Sequence, residues 1–210
     1  MLLIARTVGL QRGWRVLDVA CGAGRHARAF VNAGACCFGL DLSATLLRVA
    51  RQVTDAPLIR ADMRQLPVRL GSMHLTVNLF TSFGYFDRDA EHRTALDEMI
   101  ATLRPEGWFV IDFLNPAAVR RALVPEEMVT LANQTVRVTR TVSPDGRYVC
   151  KSIRAREGRQ YMERVRLFEP EQISDMLESA GVQVRYRFGD YDGSTLSPDS
   201  PRTILMGQVQ

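Results

Sequence analysis

The sequence predicts an α/β fold in which a parallel β-sheet carries helices on both faces. Over roughly the first 120 residues, short apolar runs alternate with helical stretches, and nearly continuous apolar runs are typical of strands buried on both faces. The first run leads through a glycine-rich turn into a helix, as in doubly wound sheets. The 210 residues, of which 46% are hydrophobic and 24% charged, suit one globular domain and exclude a disordered or collagen-like chain.

The boundaries of the first elements follow from local composition. Gly22 and Gly24 end the first apolar run, because glycine adopts the backbone angles of a sharp turn. Ser43 is a good N-cap for the second helix, and Asp87 or Asp89 can cap the third. In chain order we expect strands over residues 15–20, 35–40, 58–59, 74–80 and 108–114, and helices over residues 25–32, 44–53 and 90–103.

The pattern changes after Pro125. Polar and apolar side chains then alternate, and Ser143-Pro-Asp-Gly146 is a strong turn signal. We expect three antiparallel strands, over residues 135–142, 148–153 and 161–168, as an insertion (residues 126–168) within a single domain of residues 1–210. The insertion is too small for an independent domain, and we expect it to cap the binding pocket or to form a dimer surface. A helix over residues 170–180, closed by Gly181, and strands over residues 182–188 and 203–209 complete the domain.

The composition favours a cytoplasmic protein. The four cysteines include no CxxC pair, which argues against a disulfide framework and against a metal site. No apolar run approaches the roughly 18 residues of a membrane-spanning helix, and the first residues do not resemble a signal peptide. Residues 137–166 carry nine basic and three acidic side chains. This excess predicts a solvated sheet face or, alternatively, the attraction of an anionic substrate or nucleic acid.

The glycine turn and a downstream carboxylate predict a ligand site. Asp41 ends the second strand 19 positions after Gly22, which in an open α/β sheet places it beside the first turn, where ligands bind. A carboxylate there can accept both hydroxyl groups of an adenosine ribose. Residues 22–27 also satisfy the dinucleotide pattern G-x-G-x-x-G/A. Asp18, however, would oppose a pyrophosphate and favour a cationic nucleoside.

Several segments resemble the motifs of class I S-adenosylmethionine-dependent methyltransferases. Residues 16–26 (Val-Leu-Asp-Val-Ala-Cys-Gly-Ala-Gly-Arg-His) resemble their first motif, residues 39–43 (Gly-Leu-Asp-Leu-Ser) their ribose-binding motif, and residues 61–63 (Ala-Asp-Met) the segment that contacts adenine. More narrowly, residues 21–26, 61–67, 80–86, 112–116, 189–193 and 200–202 are similar to one bacterial subgroup of small-molecule methyltransferases. The resemblance runs from about Arg15 to the C-terminus. It implies a Rossmann-like, doubly wound, seven-stranded sheet whose last strand is antiparallel.

The resemblance also implies a cofactor, a reaction and a set of contacts. The cofactor is S-adenosylmethionine, and its methyl group passes to a small-molecule acceptor by in-line displacement; the basic insertion adds a reason to expect an anionic acceptor. Arg202 is expected to pair with Asp190 or Asp192, or with an acidic substrate. Cofactor contacts are expected from Asp18, Ala20, Cys21, Gly22, Gly24, Asp41, Leu42, Asp62, Met63, Leu79 and Phe80. Acceptor contacts are expected from Ser82, Phe83, Tyr85, Asn115, Tyr191 and Arg202.

In-line methyl transfer needs little acid–base chemistry, because the leaving group is already positively charged. Alignment and the exclusion of water supply much of the acceleration, and a base matters only for a hydroxyl or a protonated amine. His74 and His92 are expected at a strand edge and on a helix surface. The candidates for a base are therefore Tyr85 and His26, followed by Asp112 and Asp192.

The sequence departs from the family in two places and leaves alternatives open. Only 14 residues precede the first strand, where the family usually has a longer helical segment over the cofactor, so we expect a site that is open or completed by another chain. The fourth strand begins with Met73-His74 in place of an acidic residue. The alternatives are an RNA or protein methyltransferase, an NAD-dependent oxidoreductase, and a cofactor-binding subunit without catalysis. The chain has no Asn-Pro-Pro-Tyr motif, so we do not expect a nucleic-acid partner.

Overall fold

The described part of this computed structural model, residues 1–131, 134–154 and 160–210, contains six helices and eleven strands. None of these helices is both long enough and apolar enough to cross a membrane. In chain order the elements are α1 (Leu2–Val8), β1 (Arg15–Val19), α2 (Arg25–Asn32), β2 (Cys36–Asp41), α3 (Ala44–Ala50), β3 (Leu58–Arg60), β4 (Met73–Asn78), α4 (Asp89–Ala101), β5 (Leu103–Leu114), α5 (Pro116–Ala122), β6 (Glu126–Leu131), β7 (Gln134–Val142), β8 (Tyr148–Arg154), β9 (Gln160–Arg166), α6 (Pro170–Ser179), β10 (Val182–Phe188) and β11 (Arg202–Val209).

Seven strands form the central sheet in the order β10-β11-β5-β4-β1-β2-β3. The strands β1 to β5 run parallel, whereas β11 is antiparallel to both β5 and β10. The chain winds outward from β1 in one direction and from β4 in the other, so the switch point lies between these two strands. The predicted doubly wound sheet with an antiparallel last strand is confirmed.

Two apolar layers cover the faces of this sheet. One layer includes Phe109 and Ile173 and packs beneath α4 and α6; the other includes Leu3 and Phe30 and packs beneath α1 and α2. Full burial of such a side chain contributes about 1.5–3 kcal/mol. The short helix α1, which the sequence analysis did not predict, is therefore held by the apolar residues that it buries.

The second sheet has four antiparallel strands, in the order β6-β7-β8-β9, where only three were predicted. The additional strand β6 begins with Glu126 and Glu127, and strands are poor in glutamate. In the structure Glu126 pairs with Arg137 at 3.3 Å and Glu127 with Arg140 at 2.6 Å. Opposite charges on neighbouring strands stabilise their pairing, so contacts across the sheet compensate for the weak local signal.

The predicted helix caps are correct in part. Ser43 Oγ accepts a hydrogen bond from the backbone N–H three residues later at 3.2 Å, which confirms the N-cap of α3. The prediction that Asp87 or Asp89 caps α4 is wrong, because the N-cap is Arg88, whose backbone N–H donates to the Glu91 carboxylate at 3.2 Å. Both aspartates instead form ion pairs with arginines of the second sheet.

His92 is buried, so the prediction that it lies on a helix surface is wrong. Its ring lies among Phe83, Phe86 and Phe168, at centroid separations of 5.3, 5.2 and 5.0 Å. The Nε2 atom accepts a hydrogen bond from Phe86 N, and Nδ1 donates to Arg88 O, both at 3.2 Å. Because backbone groups satisfy both nitrogens, the neutral ring is stable in the core, and burial lowers its pKa.

The second sheet is joined to the loop after β4 through Gly84 and Arg166. Arg166 N donates to Gly84 O at 2.8 Å, and the buried Arg166 guanidinium donates to Leu167 O at 2.8 Å. Gly84 has a φ of +97°, and a Cβ atom there would lie 2.9 Å from Val165 Cγ1. Glycine permits this close approach, which fixes the second sheet beside the edge where β4 ends.

Candidate active site

The turn between β1 and α2 contains residues with left-handed backbone conformations, with φ of +55° at Gly22 and +79° at Gly24. A Cβ atom at Gly24 would lie 3.0 Å from both Ala50 Cβ and Thr54 Cγ2. A Cβ atom at Gly22 would meet nothing within 4 Å, and Gly22 lines a large cavity. The two predicted cofactor glycines therefore differ: Gly22 faces open space, whereas Gly24 allows α2 to pack against the end of α3.

Asp41 holds this turn from the end of β2. One of its carboxylate oxygens accepts a hydrogen bond from Gly22 N and the other from Ser43 N, both at 2.8 Å. Asp41 is 8% exposed, and it lines the same cavity. A carboxylate can accept about four hydrogen bonds, so each oxygen keeps the capacity for a further donor.

The cavity has a volume of about 670 Å³ and opens at the carboxyl ends of β1, β2 and β4, next to the switch point where α/β sheets bind ligands. Its walls contain nine predicted site residues: Ala20, Gly22, Asp41, Leu42, Asp62, Met63, Phe80, Ser82 and Tyr85. The sequence analysis did not predict the other seven residues of the wall, which are Leu40, Ser43, Leu46, Ala61, Arg64, Thr81 and Phe86. Most of these residues are close in the chain to residues that were predicted, so their position near the strand ends could have placed them in the site.

An ion-pair network forms one wall around Asp62. Arg64 Nη2 lies 2.6 Å from Asp62 Oδ2, and Arg64 Nη1 lies 2.7 Å from Glu91 Oε1. The hydrogen bonds from Arg64 lower the pKa of Asp62. Asp62 is therefore an ionised hydrogen-bond acceptor on this wall, next to Met63.

The loop after β4 holds two consecutive non-glycine residues in the left-handed conformation, with φ of +60° at Phe80 and +61° at Thr81. Each costs roughly 1–2 kcal/mol. The buried Asp112 holds them, since its Oδ2 accepts from Phe80 N at 3.0 Å and its backbone O from Thr81 N at 2.9 Å. The turn leaves Phe80 62% exposed, and this residue lines the cavity. Strain that exposes a large aromatic ring favours a functional role for it.

Asp112 also binds two residues that were predicted for the acceptor pocket. Arg202 Nη2 lies 2.6 Å from Asp112 Oδ1, and Tyr191 Oη donates to Asp112 Oδ2 at 2.8 Å. The expectation that Arg202 pairs with Asp190 or Asp192 is therefore wrong. The antiparallel register of β11 on β5 brings Arg202 to this end of β5, and the other two aspartates accept hydrogen bonds from backbone N–H groups of their own loop.

Five further predicted residues are buried and do not line the large cavity: Asp18, Cys21, Leu79, Phe83 and Asn115. Burial raises the pKa of Asp18 to about 7, and its Oδ2 has no hydrogen-bond partner among the described residues. Asn115 is the N-cap of α5 and also donates to a backbone carbonyl of the loop before β11 at 2.7 Å. Ligand contacts from these five residues stay predictions.

The two candidate bases have different surroundings. Tyr85 lines the cavity, and partial burial together with the negative charge of Glu163 raises its pKa. His26 lies outside this cavity, and burial and the neighbouring Arg25 lower its pKa to about 4. Its Nε2 accepts a hydrogen bond from Arg25 Nη2 at 3.2 Å. At neutral pH both side chains are uncharged, and only Tyr85 reaches the large cavity.

A second cavity, of about 430 Å³, lies between α5 and the second sheet. Its walls are mostly apolar, and two ion pairs border it: Glu127 with Arg140 at 2.6 Å, and Lys151 with Glu163 at 3.3 Å. Of the seven basic residues between positions 137 and 166 that the structure describes, six lie within ion-pair distance of a carboxylate. The basic excess of this segment is therefore largely neutralised.

Comparison with known proteins matches the segments that build this site. A family model described as a methyltransferase domain matches residues 16–107. The dTDP-3-amino-3,6-dideoxy-alpha-D-glucopyranose N,N-dimethyltransferase of Streptomyces fradiae is 29% identical over 197 residues, which cover 89% of this chain and 76% of that protein. Further curated relatives are matched over 41–64% of their own length.

Solved structures have the same architecture. An S-adenosylmethionine-dependent methyltransferase from Clostridium acetobutylicum has a TM-score of 0.84 at 15% identity, over 99% of this chain and 88% of that chain. An amino pentose methyltransferase from Micromonospora echinaspora, solved with S-adenosylmethionine bound, has a TM-score of 0.72 at 22% identity, over 99% of this chain and 87% of that chain. At these identities, the two structures establish the fold.

Proposed function

We propose that the chain is a class I S-adenosylmethionine-dependent methyltransferase and that it transfers the methyl group of the cofactor to a small-molecule acceptor. The observation that carries the proposal is the contact between Asp41 and Gly22 at the switch point of the sheet. The adjoining cavity, of about 670 Å³, lies within the size range of small-molecule sites.

The polar groups on the cavity wall fit the nucleoside of the cofactor. Asp41 keeps acceptor capacity on both oxygens for the two ribose hydroxyls. Asp62 offers an ionised acceptor for the adenine amino group, and Met63 offers a polarisable apolar surface. A pyrophosphate would instead need free N–H donors in the turn, where Gly22 N already donates to Asp41. These contacts favour an adenosyl cofactor over the dinucleotide of an oxidoreductase.

When bound, S-adenosylmethionine supplies an electrophilic methyl group on a positively charged sulfur. The protein then has to align the acceptor and to exclude water. Phe80, Tyr85 and Phe86 give the cavity an aromatic wall on the side of β4. The Tyr85 hydroxyl stays protonated at neutral pH, because its pKa is raised, so we assign it the orientation of the acceptor through a hydrogen bond. His26 does not line this cavity and has no role in this scheme.

A small molecule is favoured over nucleic acid as the acceptor. The ion pairs of the second sheet reduce the positive field that RNA binding or an anionic acceptor would use. The cavity of about 430 Å³ offers space for a small molecule, and its wall includes Glu163, whose charge acts on Tyr85. The related enzyme of Streptomyces fradiae is named for an amino sugar. We therefore propose an acceptor with a nucleophilic nitrogen or oxygen.

The second sheet also supports a contact with a second copy of the chain. Met128, Tyr161 and Met162 are large apolar residues that it exposes, and exposed apolar patches mark interaction sites. We keep the homodimer as part of the proposal, together with a cytoplasmic location. The four free cysteines support a reducing compartment.

Calorimetry with S-adenosylhomocysteine tests the cofactor site. We expect Asp41→Ala to raise the dissociation constant about a hundredfold or more, because two hydrogen bonds to a charged acceptor contribute roughly 3 kcal/mol. Asp97→Ala, which changes an exposed carboxylate on α4, should leave the constant unchanged. Thermal unfolding shows whether both variants are folded.

Equal affinity of the wild type and Asp41→Ala would contradict this site. A rise in Tm with NAD(H) and none with S-adenosylhomocysteine would support the oxidoreductase instead, because a ligand stabilises the folded state that binds it.

A further inference from the structure

The smaller cavity, of about 430 Å³ between α5 and the second sheet, has a row of four charged residues along its floor. Arg140, Lys151 and Glu163 lie directly opposite one another on β7, β8 and β9. Glu127 of β6 completes this charged row through its ion pair with Arg140 at 2.6 Å. All four residues line the cavity. Charged side chains seldom face an apolar space without partners, so the row concentrates the polar groups of the cavity along one line.

The remaining wall of the smaller cavity is apolar. Val149 and Val165 lie opposite one another on β8 and β9, next to the charged row. The helix α5 and the segment after it contribute Val119, Leu123 and Val124. Val165 is buried, whereas Val119, Leu123 and Val149 are half-buried and Val124 is 51% exposed. Apolar surface that stays accessible in a concave site favours a ligand that covers it, so this wall fits a molecule with an apolar body.

The smaller cavity adjoins the large one at the loop after β4. Arg166 N donates to Gly84 O at 2.8 Å, and a Cβ atom on Gly84 would lie 2.9 Å from Val165 Cγ1. Val165 lines the smaller cavity, and Tyr85, the residue after Gly84, lines the large one. The strand that makes this contact is β9, which also carries Glu163 and ends the order of the second sheet. Glu163 is therefore at the end of the charged row that is nearer to the large cavity.

The two carboxylates of the charged row have different surroundings. Glu127 pairs closely with Arg140 and lies three strands from β9, which is roughly 14 Å at about 4.8 Å per strand. Glu163 lies 3.3 Å from Lys151 Nζ, and its side chain is 47% exposed. A carboxylate accepts about four hydrogen bonds, so Glu163 keeps capacity for a donor on a ligand. Burial and the negative charge of Glu163 raise the pKa of Tyr85, in agreement with a position of this charge near the large cavity.

We propose that the smaller cavity binds the methyl acceptor, that the acceptor is an amine with an apolar body, and that Glu163 selects the amine. The proposal rests on the proposed function, because it takes the large cavity as the site of the methyl donor. The apolar body covers Val149 and Val165, and Glu163 accepts a hydrogen bond from the nitrogen on the side of Tyr85. Such a bond is stronger from an amine than from an alcohol, since the ammonium form is charged. The neutral amine makes the same contact and has the lone pair that methyl transfer needs.

Three probes with the same phenylethyl body test this assignment: 2-phenylethylamine, 2-phenylethanol and 3-phenylpropionate, which differ only in the polar group. Their dissociation constants are measured by calorimetry on protein saturated with S-adenosylhomocysteine. We expect the wild type to bind the amine at least fivefold more tightly than the other two. Glu163→Gln should weaken the binding of the amine about fivefold or more, because it removes a charged acceptor. The same variant should leave the affinities for the alcohol and for S-adenosylhomocysteine within about twofold.

Glu126→Gln is the matched control for the charge. Glu126 lies 3.3 Å from Arg137, as Glu163 does from Lys151, but it neighbours Glu127 in β6 and so lies on the opposite face of the second sheet. This variant should change none of the affinities. Val119→Trp tests the cavity itself, because the larger side chain fills it; the variant should abolish amine binding and retain S-adenosylhomocysteine binding. Thermal unfolding shows whether each variant is folded.

Each part of the assignment has a result that would overturn it. Equal weakening of the amine and the alcohol by Glu163→Gln, or no weakening of either, would overturn the selection by Glu163. Tighter binding of the carboxylate than of the amine would overturn the acceptor class, and unchanged amine binding in Val119→Trp would overturn the location. If the wild type binds S-adenosylhomocysteine but none of the three probes, the inference is wrong and the proposed function is unaffected. If it does not bind S-adenosylhomocysteine, the proposed function itself fails.

Discussion

Asp112→Asn is expected to disturb both the fold and the cofactor site. Asp112 is 3% exposed and accepts hydrogen bonds from Phe80 N at 3.0 Å, Tyr191 Oη at 2.8 Å and Arg202 Nε at 2.8 Å. Asparagine has one acceptor oxygen, so in either orientation its NH₂ group faces donors. Arg202, whose side chain is 17% exposed, also loses its counter-charge. Breaking one side of a buried ion pair costs about 3–5 kcal/mol, and the partial exposure of Arg202 favours the lower value.

Urea unfolding followed by circular dichroism measures this loss. Tyr191→Phe is the matched control, because it removes one hydrogen bond to the same carboxylate and should cost about 1 kcal/mol. Asp112→Asn should also weaken S-adenosylhomocysteine binding, because the strained turn at Phe80 loses its acceptor. A loss of stability below about 1 kcal/mol in Asp112→Asn would refute the reasoning, as would an equal loss in both variants.

Two further substitutions probe single features. Burial raises the pKa of Asp18 to about 7, so the folded protein keeps this side chain protonated at a pH where the unfolded chain does not. The unfolding free energy of the wild type should therefore fall by up to about 4 kcal/mol as the pH rises from 4 to 7, and that of Asp18→Asn should fall less. A urea midpoint of the wild type that stays the same across this pH range would contradict the shift. Gly84→Ala should lower Tm more than Gly71→Ala, because both have positive φ but only the former Cβ meets a side chain, Val165 Cγ1 at 2.9 Å; equal Tm values would contradict the close packing.

The nucleoside end of the site was predictable because it is built from residues that are close in the chain or that end neighbouring parallel strands. Gly22 and Asp41 follow β1 and end β2, and these strands pair in parallel register. Their carboxyl ends must therefore meet at one edge, which is enough to place the carboxylate beside the turn. Asp62 and Met63 follow from the same rule, because β3 pairs with β2.

The Asp112 network could not be predicted, because its members are joined only by the packing of distant segments. Arg202 reaches Asp112 through the antiparallel register of β11 on β5, which local composition does not specify. The burial of His92 was missed for a similar reason. Its polar nitrogens suggest the surface of α4, whereas Phe86 N and Arg88 O supply the partners that make the core position stable.

The contact of Asp41 with the turn after β1 and the Asp112 network imply different sources of affinity and selectivity. The contacts of Asp41 depend on a short backbone turn, so they can be retained while the rest of the chain changes. The position of Phe80 depends on a strained turn that Asp112 holds. That strain persists only because several hydrogen bonds over-determine it. Selectivity on the side of the cavity that Phe80 lines, where we expect the acceptor, should therefore be sensitive to distant residues of β5 and β11, whereas recognition of the nucleoside should not.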